Sequence, residues 1–149
     1  MDDIEISKMT LNDLESIKDI LISDFDDFWN FSILSKELCN PNSKYVVAKI
    51  NNNIVGFAGI WKAVDDVHIT NIVTAKKFRN KSIGSTMLSS LIELAKKEPN
   101  ITSITLEVNE NNKPAQNLYK KFNFKVVGLR KNYYHNKDNA IIMTKELNK

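Results

Sequence analysis

The sequence predicts a single domain of the α/β or α+β class built on a mixed β-sheet. Its 149 residues have the length of one ordinary domain, and a composition of 42% apolar and 26% charged residues is globular. The segments follow one another in the order β-α-α-β-β-β-α-β-α-β-β, which combines both element types around one sheet. The single cysteine, Cys39, excludes an internal disulfide framework.

The first elements are a short strand and an amphipathic helix. Residues 4–6 alternate in polarity, and Thr10 followed by Asp13 is a capping box that predicts a helix start. Apolar residues then recur at spacings of three and four, namely Leu11, Leu14, Ile17, Leu21 and Phe25. Residues 24–31 break this period and predict a loop, and residues 32–38 predict a second short helix.

The middle of the chain predicts three strands. Residues 45–50 and 54–61 are rich in β-forming side chains, and the three asparagines at 51–53 predict a hairpin turn between them. A further strand is expected from Val67 to about Val73.

The second half alternates helices with strands. An irregular basic segment, residues 74–85, precedes a long helix that ends at Pro99-Asn100. Residues 103–108 alternate as a strand, and Asn112 caps the next helix, which ends with a left-handed residue at Asn123. The buried faces of these helices are predicted to be Met87, Leu88, Leu91, Ile92 and Ala95, and then Ala115, Leu118 and Phe122. Residues 125–129 and 140–144 are the last strands.

Charge is distributed unevenly along the chain. Residues 1–31 carry nine acids and two lysines, a balance of −7, and the remaining 118 carry 19 basic and 9 acidic residues, a balance of +10. Such a split is typical of a basic groove with an acidic lip, or of two partners of opposite charge, although plain solvated surface is an open alternative. The acidic start and the lack of an apolar run near ~20 residues favour a cytoplasmic protein without a membrane partner.

A basic loop before a helix is the most informative segment. Lys76, Lys77, Arg79 and Lys81 precede a helix start at Gly84. Free backbone amides at a helix N-terminus bind anions, so the segment predicts a phosphate site, with an ordinary basic surface as the alternative.

The motifs together resemble those of the GCN5-related N-acetyltransferase (GNAT) family. Residues 79–84, Arg-Asn-Lys-Ser-Ile-Gly, resemble its pyrophosphate loop, and residues 106–124 look like its next strand and helix. Closer still, Leu-Glu-Val at 106–108, Asn-x-x-Ala-x-x-Leu-Tyr at 112–119, Arg-Lys-Asn-Tyr-Tyr at 130–134 and the run 138–143 resemble the bacterial ribosomal-protein-alanine N-acetyltransferases. The resemblance implies one acetyltransferase domain over 1–149, with a mostly antiparallel sheet flanked by about four helices.

Two positions depart from the family pattern. Ser82 and Asn123 stand where the family has glycine. Asn123 is a chemically reasonable replacement at a left-handed helix end. At Ser82 the Cβ atom could hinder close approach of the backbone to pyrophosphate, although the hydroxyl could instead donate a hydrogen bond to phosphate.

The resemblance also implies roles for individual residues. Acetyl-CoA would be the co-substrate, with no metal, and Glu107 and Tyr119, twelve residues apart, would be the general base and general acid. The coenzyme-binding residues would be Ile72, Val73, Thr74, Arg79, Asn80, Lys81, Ser82, Ile83, Gly84, Ser85 and Asn112. Tyr133 and Tyr134 would wall the peptide slot, and we add Asp26 and Asp27 as an acidic lip for a basic substrate.

These residue types suit acetyl transfer to an amine. A peptide α-amine has a pKa of about 7.7–8.0, so a base must take its proton before it attacks. A tyrosine at about 10 that protonates a thiolate at about 8.5 transfers the proton uphill by ~2 kcal/mol, so Tyr119 needs a lowered pKa or acts chiefly as a hydrogen-bond donor. The non-catalytic alternatives are that Glu107 is an exposed carboxylate on a strand and that Tyr119 is an aromatic side chain that packs on a helix face.

The expected partner is the N-terminal peptide of a ribosomal protein. The protein itself is expected to be a monomer or a weak dimer. Polyamines, aminoglycosides and lysine side chains are alternative acceptors within the same class. A nucleic-acid-binding module and a catalytically silent CoA-binding regulator are the alternatives outside it, and we expect no nucleic-acid partner because the basic residues are not interleaved with aromatics.

Overall fold

The computed structural model describes residues 3–25, 30–79, 82–134 and 137–147. The strands are β1 (Glu5–Lys8), β2 (Ser43–Ile50), β3 (Asn53–Ala63), β4 (Asp66–Thr74), β5 (Ser103–Asn109), β6 (Lys125–Tyr134) and β7 (Asp138–Glu146). The helices are α1 (Leu11–Ser16), α2 (Leu21–Phe25), α3 (Phe31–Leu38), α4 (Ile83–Lys97) and α5 (Lys113–Lys121), with 3₁₀ turns at Lys18–Ile20 and Lys76–Phe78.

The strands hydrogen-bond in the order β1-β2-β3-β4-β5-β7-β6. β4 and β5 pair in parallel, whereas β1–β2, β2–β3, β5–β7 and β6–β7 are antiparallel. The predicted class, a mixed and mostly antiparallel sheet with helices, is confirmed.

The chain divides into two compact units. Unit 1 comprises Met1–Trp61 and Thr70–Leu94, and unit 2 comprises Lys62–Ile69 and Ala95–Lys149. A single acetyltransferase domain over 1–149 stays a prediction. No helix in the described part of the chain is both long and apolar enough to cross a membrane.

The N-terminal apolar stripe of unit 1 is buried, but it is not one helix. Leu14, Ile17, Leu21 and Phe25 are buried in one cluster, whereas Leu11 is 49% exposed. The helix ends because Ile17 has φ −112° and ψ 7°, and its amide donates to the Leu14 carbonyl three residues back. The prediction of a continuous helix to Phe25 is therefore wrong, and the predicted inward face is right for these four buried residues but wrong for Leu11.

The start of α1 is held by the predicted capping box. The Thr10 amide donates to Asp13 Oδ2 at 2.9 Å, the Asp13 amide donates to the Thr10 hydroxyl at 3.1 Å, and Lys49 Nζ lies 3.0 Å from Asp13 Oδ1. Burial acts to raise the pKa of Asp13, but the hydrogen bonds from Thr10 and Lys49 and the lysine charge outweigh it. The pKa of Asp13 is consequently lowered from 3.8.

The predicted loop at 24–31 is shorter than expected. Its first two residues belong to α2, and residues 26–29 lie outside the described residues. Helix α3 begins at Phe31, because Asn30 Oδ1 caps it by accepting a hydrogen bond from the Ile33 amide at 2.9 Å. The hairpin turn is as predicted, because Asn51 and Asn52 adopt the left-handed conformation with φ of 51° and 67°.

In unit 2, β5 alternates as predicted, and Asn123 is left-handed with φ 69°. The prediction for the inner face of α5 is wrong. Its buried residues are Gln116 and Tyr119, whereas Ala115, Leu118 and Phe122 are only partly buried. The strand predicted at 125–129 continues to Tyr134, because β6 pairs with β7 as far as Asp138.

Candidate active site

Glu107 has two unlike carboxylate oxygens. It lies on the partly exposed face of β5, directly opposite Ile142 of β7. Oε1 lies 3.2 Å from Nη2 of Arg130. Oε2 is excluded from solvent and accepts no hydrogen bond from the described residues. A buried acceptor in that condition is uncommon in folded proteins.

The strand order brings Arg130 to Glu107. Arg130 of β6 is opposite Ala140 of β7, which is opposite Asn109 of β5, two residues beyond Glu107. The arginine side chain therefore reaches diagonally across β7 to the carboxylate on β5. It is about half exposed at 53%, whereas the Glu107 side chain is 22% exposed.

Tyr119 is held inside unit 2 by helix α5. Its side chain is 6% exposed, and its ring centroid lies 5.9 Å from that of Phe124. Gln116 fastens the helix, because its Nε2 donates to the carbonyls of Asn109 at 3.1 Å and Glu110 at 2.9 Å. These bonds join the helix that carries Tyr119 to the end of the strand that carries Glu107.

Sequence reasoning gave no role to Gln116 or Arg130. The available signal for Gln116 was its position three residues before Tyr119, which places both on one helix face. No local signal could have paired Arg130 with Glu107, because they are 23 residues apart and on strands separated by a third.

The β6–β7 hairpin is fastened to the end of β5 by backbone and side-chain bonds. Glu110 Oε2 accepts the Asn139 amide at 2.7 Å, and Asn139 Oδ1 accepts the amide of Asn132, which has φ 54°. Tyr133 and Tyr134 follow Asn132 in β6. Their placement in the strand is described, their side chains are not, and their role as walls of a peptide slot stays a prediction.

The predicted coenzyme-binding residues of unit 1 lie at the end of β4 and the start of α4. Ile72, Val73 and Thr74 are the last residues of β4. Gly56 allows close approach there, because a Cβ on it would lie 2.9 Å from the Val73 carbonyl oxygen. Arg79 is exposed after the 3₁₀ turn, and Asn80 and Lys81 lie outside the described residues.

The first backbone amides of α4 have no intrahelical partner. Its first described i−4 bond runs from the Thr86 amide to the Ser82 carbonyl at 3.0 Å, and the Thr86 hydroxyl donates to the same oxygen at 2.8 Å. The amides of Ile83, Gly84 and Ser85 therefore precede the helical hydrogen-bond ladder and can bind an anion.

Ser82 has a positive φ of 65°. Glycine adopts this left-handed conformation without the steric penalty that a Cβ atom brings. The structure thus gives a conformational reason for glycine at this position, besides close approach to a ligand. Serine adopts the same left-handed conformation here, with the steric penalty of its Cβ atom.

Asn112 and Asp24 already have structural partners. Asn112 Oδ1 caps α5 by accepting the Ala115 amide at 3.2 Å, and Asp24 accepts the Ser23 hydroxyl at 3.0 Å. Asp24 also lines a groove of about 820 Å³ in unit 1, together with Lys76 and Lys77. Asp26 and Asp27, the predicted acidic lip, lie outside the described residues. Among the described residues, no three His, Cys, Asp or Glu side chains are grouped to hold a metal.

Several known proteins are similar to this chain in sequence or in fold. A Bacillus subtilis protein, provisionally named a ribosomal protein bS18-alanine N-acetyltransferase, is 38% identical over 96% of this chain and 95% of its own. The Escherichia coli ribosomal-protein-S18-alanine N-acetyltransferase shares the fold with a TM-score of 0.87 at 24% identity, covering 99% of this chain and 96% of that one. Arabidopsis thaliana NAA60 in complex with acetyl-CoA gives a TM-score of 0.86 at 15% identity over 99% and 100% of the two chains.

The family itself is shown by a direct match. The model of the acetyltransferase (GNAT) family matches residues 14–124, which include β4, α4, β5 and α5. The resemblance inferred from the motifs is confirmed, and this chain belongs to the GNAT family of acetyltransferases.

Proposed function

We propose that this chain is an acetyl-CoA-dependent N-acetyltransferase that acetylates the N-terminal alanine of a ribosomal protein in the cytoplasm. The observation that carries the proposal is that Gln116 ties α5, the helix of Tyr119, to the end of the strand that carries the partly exposed Glu107 carboxylate. A partly exposed carboxylate can accept the proton of an attacking amine, directly or through water. The choice of an N-terminal alanine is supported by the name of the Bacillus subtilis relative.

The start of α4 suits the diphosphate of coenzyme A. The amides of Ile83, Gly84 and Ser85 would bind its oxygens, and the positive charge of Arg79 would attract them. The backbone of β4 at 72–74 would hold the pantetheine arm. Since Asn112 Oδ1 caps α5, we assign only its amide nitrogen to the coenzyme.

Acetyl-CoA, when bound, supplies an acetyl group activated as a thioester. Glu107 accepts, directly or through water, the proton that the acceptor amine loses as its nitrogen forms the amide bond. The Tyr119 hydroxyl donates to the sulfur as the carbon–sulfur bond breaks. Gln116 keeps α5, and with it Tyr119, attached to the strand of Glu107.

The test is mass spectrometry of acceptors incubated with the protein and acetyl-CoA. We expect acetylation at the α-amine of a peptide that begins with alanine followed by basic residues. The same peptide with a blocked N-terminus should stay unmodified, and spermidine, an aminoglycoside and a lysine side chain should react more slowly.

Faster acetylation of one of these other amines would overturn the proposed substrate and keep the enzyme class. Coenzyme binding without acetylation of any acceptor would instead support a silent regulator. Salt-sensitive binding to nucleic acid that ignores acetyl-CoA would support a binding module.

A further inference from the structure

The buried side chain of Tyr45 links strand β2 to strand β4 in unit 1. We propose that Tyr45 is a positioning residue for the coenzyme: its hydroxyl fixes the backbone of β4 immediately before the segment 72–74 that we assign to the pantetheine arm. This inference rests on the proposed function, because it assumes that acetyl-CoA binds along that segment.

A glycine opens the path of the tyrosine across the sheet. Tyr45 of β2 is directly opposite Gly59 of β3, and a Cβ atom on Gly59 would lie 2.4 Å from the tyrosine ring. Because Gly59 has no side chain, the ring can lie across β3, and its hydroxyl reaches β4, the next strand. Tyr45 is 4% exposed and belongs to the same buried apolar cluster as Phe57. The ring is therefore held by packing, and the hydroxyl by β4.

The hydroxyl contacts two consecutive residues of β4. It donates to Asn71 Oδ1 at 2.6 Å and lies 3.1 Å from the Thr70 hydroxyl oxygen, and Asn71 is itself buried. In a regular strand consecutive side chains point to opposite faces, so one hydroxyl that meets both indicates that β4 is irregular at these two residues. Irregularities of this kind redirect a strand and are common beside active sites.

The second half of β4 depends on such contacts for its course. The parallel pairing of β4 with β5 runs from Asp66 to His68 in the described chain. Thr70 and Asn71 follow this pairing and directly precede Ile72, the first residue of the segment assigned to pantetheine. A buried hydrogen bond at this point fixes the direction in which the next carbonyl and amide groups of the strand point. Loss of the hydroxyl should therefore weaken binding to the segment 72–74 and leave binding at the start of α4 unchanged.

Ser43 provides a matched control on the same strand as Tyr45. Its hydroxyl donates to Glu37 Oε2 at 2.6 Å, which ties β2 to α3 instead of to β4. Ser43→Ala and Tyr45→Phe each remove one hydroxyl group from β2 without changing the net charge. A general weakening of unit 1 would act in both variants, whereas only Tyr45→Phe removes a bond to β4.

The experiment uses calorimetry to compare acetyl-CoA with 3′-phospho-ADP, which has the diphosphate of the coenzyme but no pantetheine. Tyr45→Phe keeps the ring over Gly59, and its Kd for acetyl-CoA should rise about tenfold, the effect of roughly one buried hydrogen bond. Its Kd for 3′-phospho-ADP and its KM for an alanine-first peptide should stay within about twofold of the wild type. Ser43→Ala should leave all three quantities within about twofold of the wild type.

Each result decides the matter in one direction. An unchanged Kd for acetyl-CoA in Tyr45→Phe, or an equal rise in Ser43→Ala, overturns the inference while the proposed function stands. Equal losses of affinity for acetyl-CoA and 3′-phospho-ADP also overturn it, because the effect would then not be confined to the pantetheine segment. A wild-type protein that neither binds acetyl-CoA nor acetylates an amine overturns the proposed function and this inference together.

A second variant keeps the test decisive if Tyr45→Phe fails to fold by circular dichroism. Thr70→Val removes one partner of the tyrosine hydroxyl and keeps the shape of the side chain. A raised Kd for acetyl-CoA with an unchanged Kd for 3′-phospho-ADP in this folded variant supports the inference. An unchanged Kd for acetyl-CoA contradicts it.

Discussion

Two strand–helix segments carry the proposed chemistry: β4–α4 would use its backbone, whereas β5–α5 would use its side chains. In β4–α4 the coenzyme would be bound by backbone amides at the helix start, whereas in β5–α5 the protons would be moved by the side chains of Glu107 and Tyr119. A backbone site tolerates changes of side chain if the conformation is kept, and Ser82 in a glycine position with φ 65° is an instance. A side-chain site tolerates no loss of the reacting oxygen.

The two segments are also fastened differently. The β5–α5 connection is tied by Gln116 to two strand-end carbonyls, at 3.1 and 2.9 Å. In the β4–α4 connection the Ala75 amide donates to the Val55 carbonyl at 2.8 Å, and the Ser82 carbonyl closes the first turn. Substitutions in β5–α5 should therefore change the chemistry, and those in β4–α4 should act mainly through conformation.

The largest effect is expected from Tyr119→Phe. The ring packing against Phe124 is kept and only the hydroxyl is lost, so kcat should fall by ~10²–10⁴ while the affinity for acetyl-CoA stays nearly unchanged. Steady-state kinetics and calorimetry measure the two quantities. Activity equal to that of the wild type would remove Tyr119 from the mechanism, and with it the contrast between the segments.

Gln116→Met should have the next largest effect. Methionine has a similar shape but no donor, so the carbonyls of Asn109 and Glu110 lose the hydrogen bonds from Gln116, and Asn109 keeps the one from the Asn112 amide. The free energy of unfolding should fall by about 1–3 kcal/mol in a denaturant titration, and kcat should fall because Tyr119 is held less firmly. Asn117→Ala, at an exposed position of the same helix, is the control. Equal stability of the two variants would show that Gln116 does not anchor α5.

Ser82→Gly should have a smaller effect, and in the opposite direction. Relief of a left-handed serine, about 1–2 kcal/mol, is partly offset by the greater backbone entropy of glycine, so the unfolding free energy should rise by up to about 1 kcal/mol. Acetyl-CoA binding should not weaken. Ser89→Gly, in the exposed middle of α4, should instead destabilise the protein. A tenfold loss of coenzyme affinity in Ser82→Gly would mean that the serine side chain itself contacts the ligand.

The smallest effect is expected from replacing Asp24, Asp26 and Asp27 together with asparagine. We propose these aspartates as a lip that attracts a basic peptide, and Lys76 and Lys77 line the same groove as Asp24, which offsets part of its field. The KM for a basic N-terminal peptide should rise several-fold at low salt and little at high salt. The KM for acetyl-CoA should not change. Identical salt dependence in variant and wild type would give the lip no role in recognition.

Local chemistry explains why much of the fold could be predicted from the sequence. The Thr10–Asp13 cap, the asparagine hairpin turn at 51–52 and the left-handed Asn123 depend on neighbours within a few residues, and all three are present. The candidate site was partly accessible for the same reason, because the motifs around Glu107, Tyr119 and Gly84 are contiguous in sequence.

The predictions that were wrong concern features that depend on contacts between residues distant in sequence. The apolar stripe from Leu11 to Phe25 fits one helix, yet the chain turns at Ile17 while keeping its buried residues in one cluster. Hydrophobic spacing predicts which residues face the core and does not require the helix to be continuous. In α5 a polar residue, Gln116, is buried because carbonyls at the end of β5 accept its hydrogen bonds.

The sequence by itself determined the family, the succession of elements and the identity of the proposed acid and base. Each of these depends on motifs whose residues are close together in the sequence. Only the tertiary structure decided what surrounds the base. Arg130 and Glu107 meet because β7 pairs with β5 on one side and with β6 on the other, which brings residues 23 positions apart to within 3.2 Å. Strand order is set by long-range pairing and core packing, and no short stretch of the sequence encodes it.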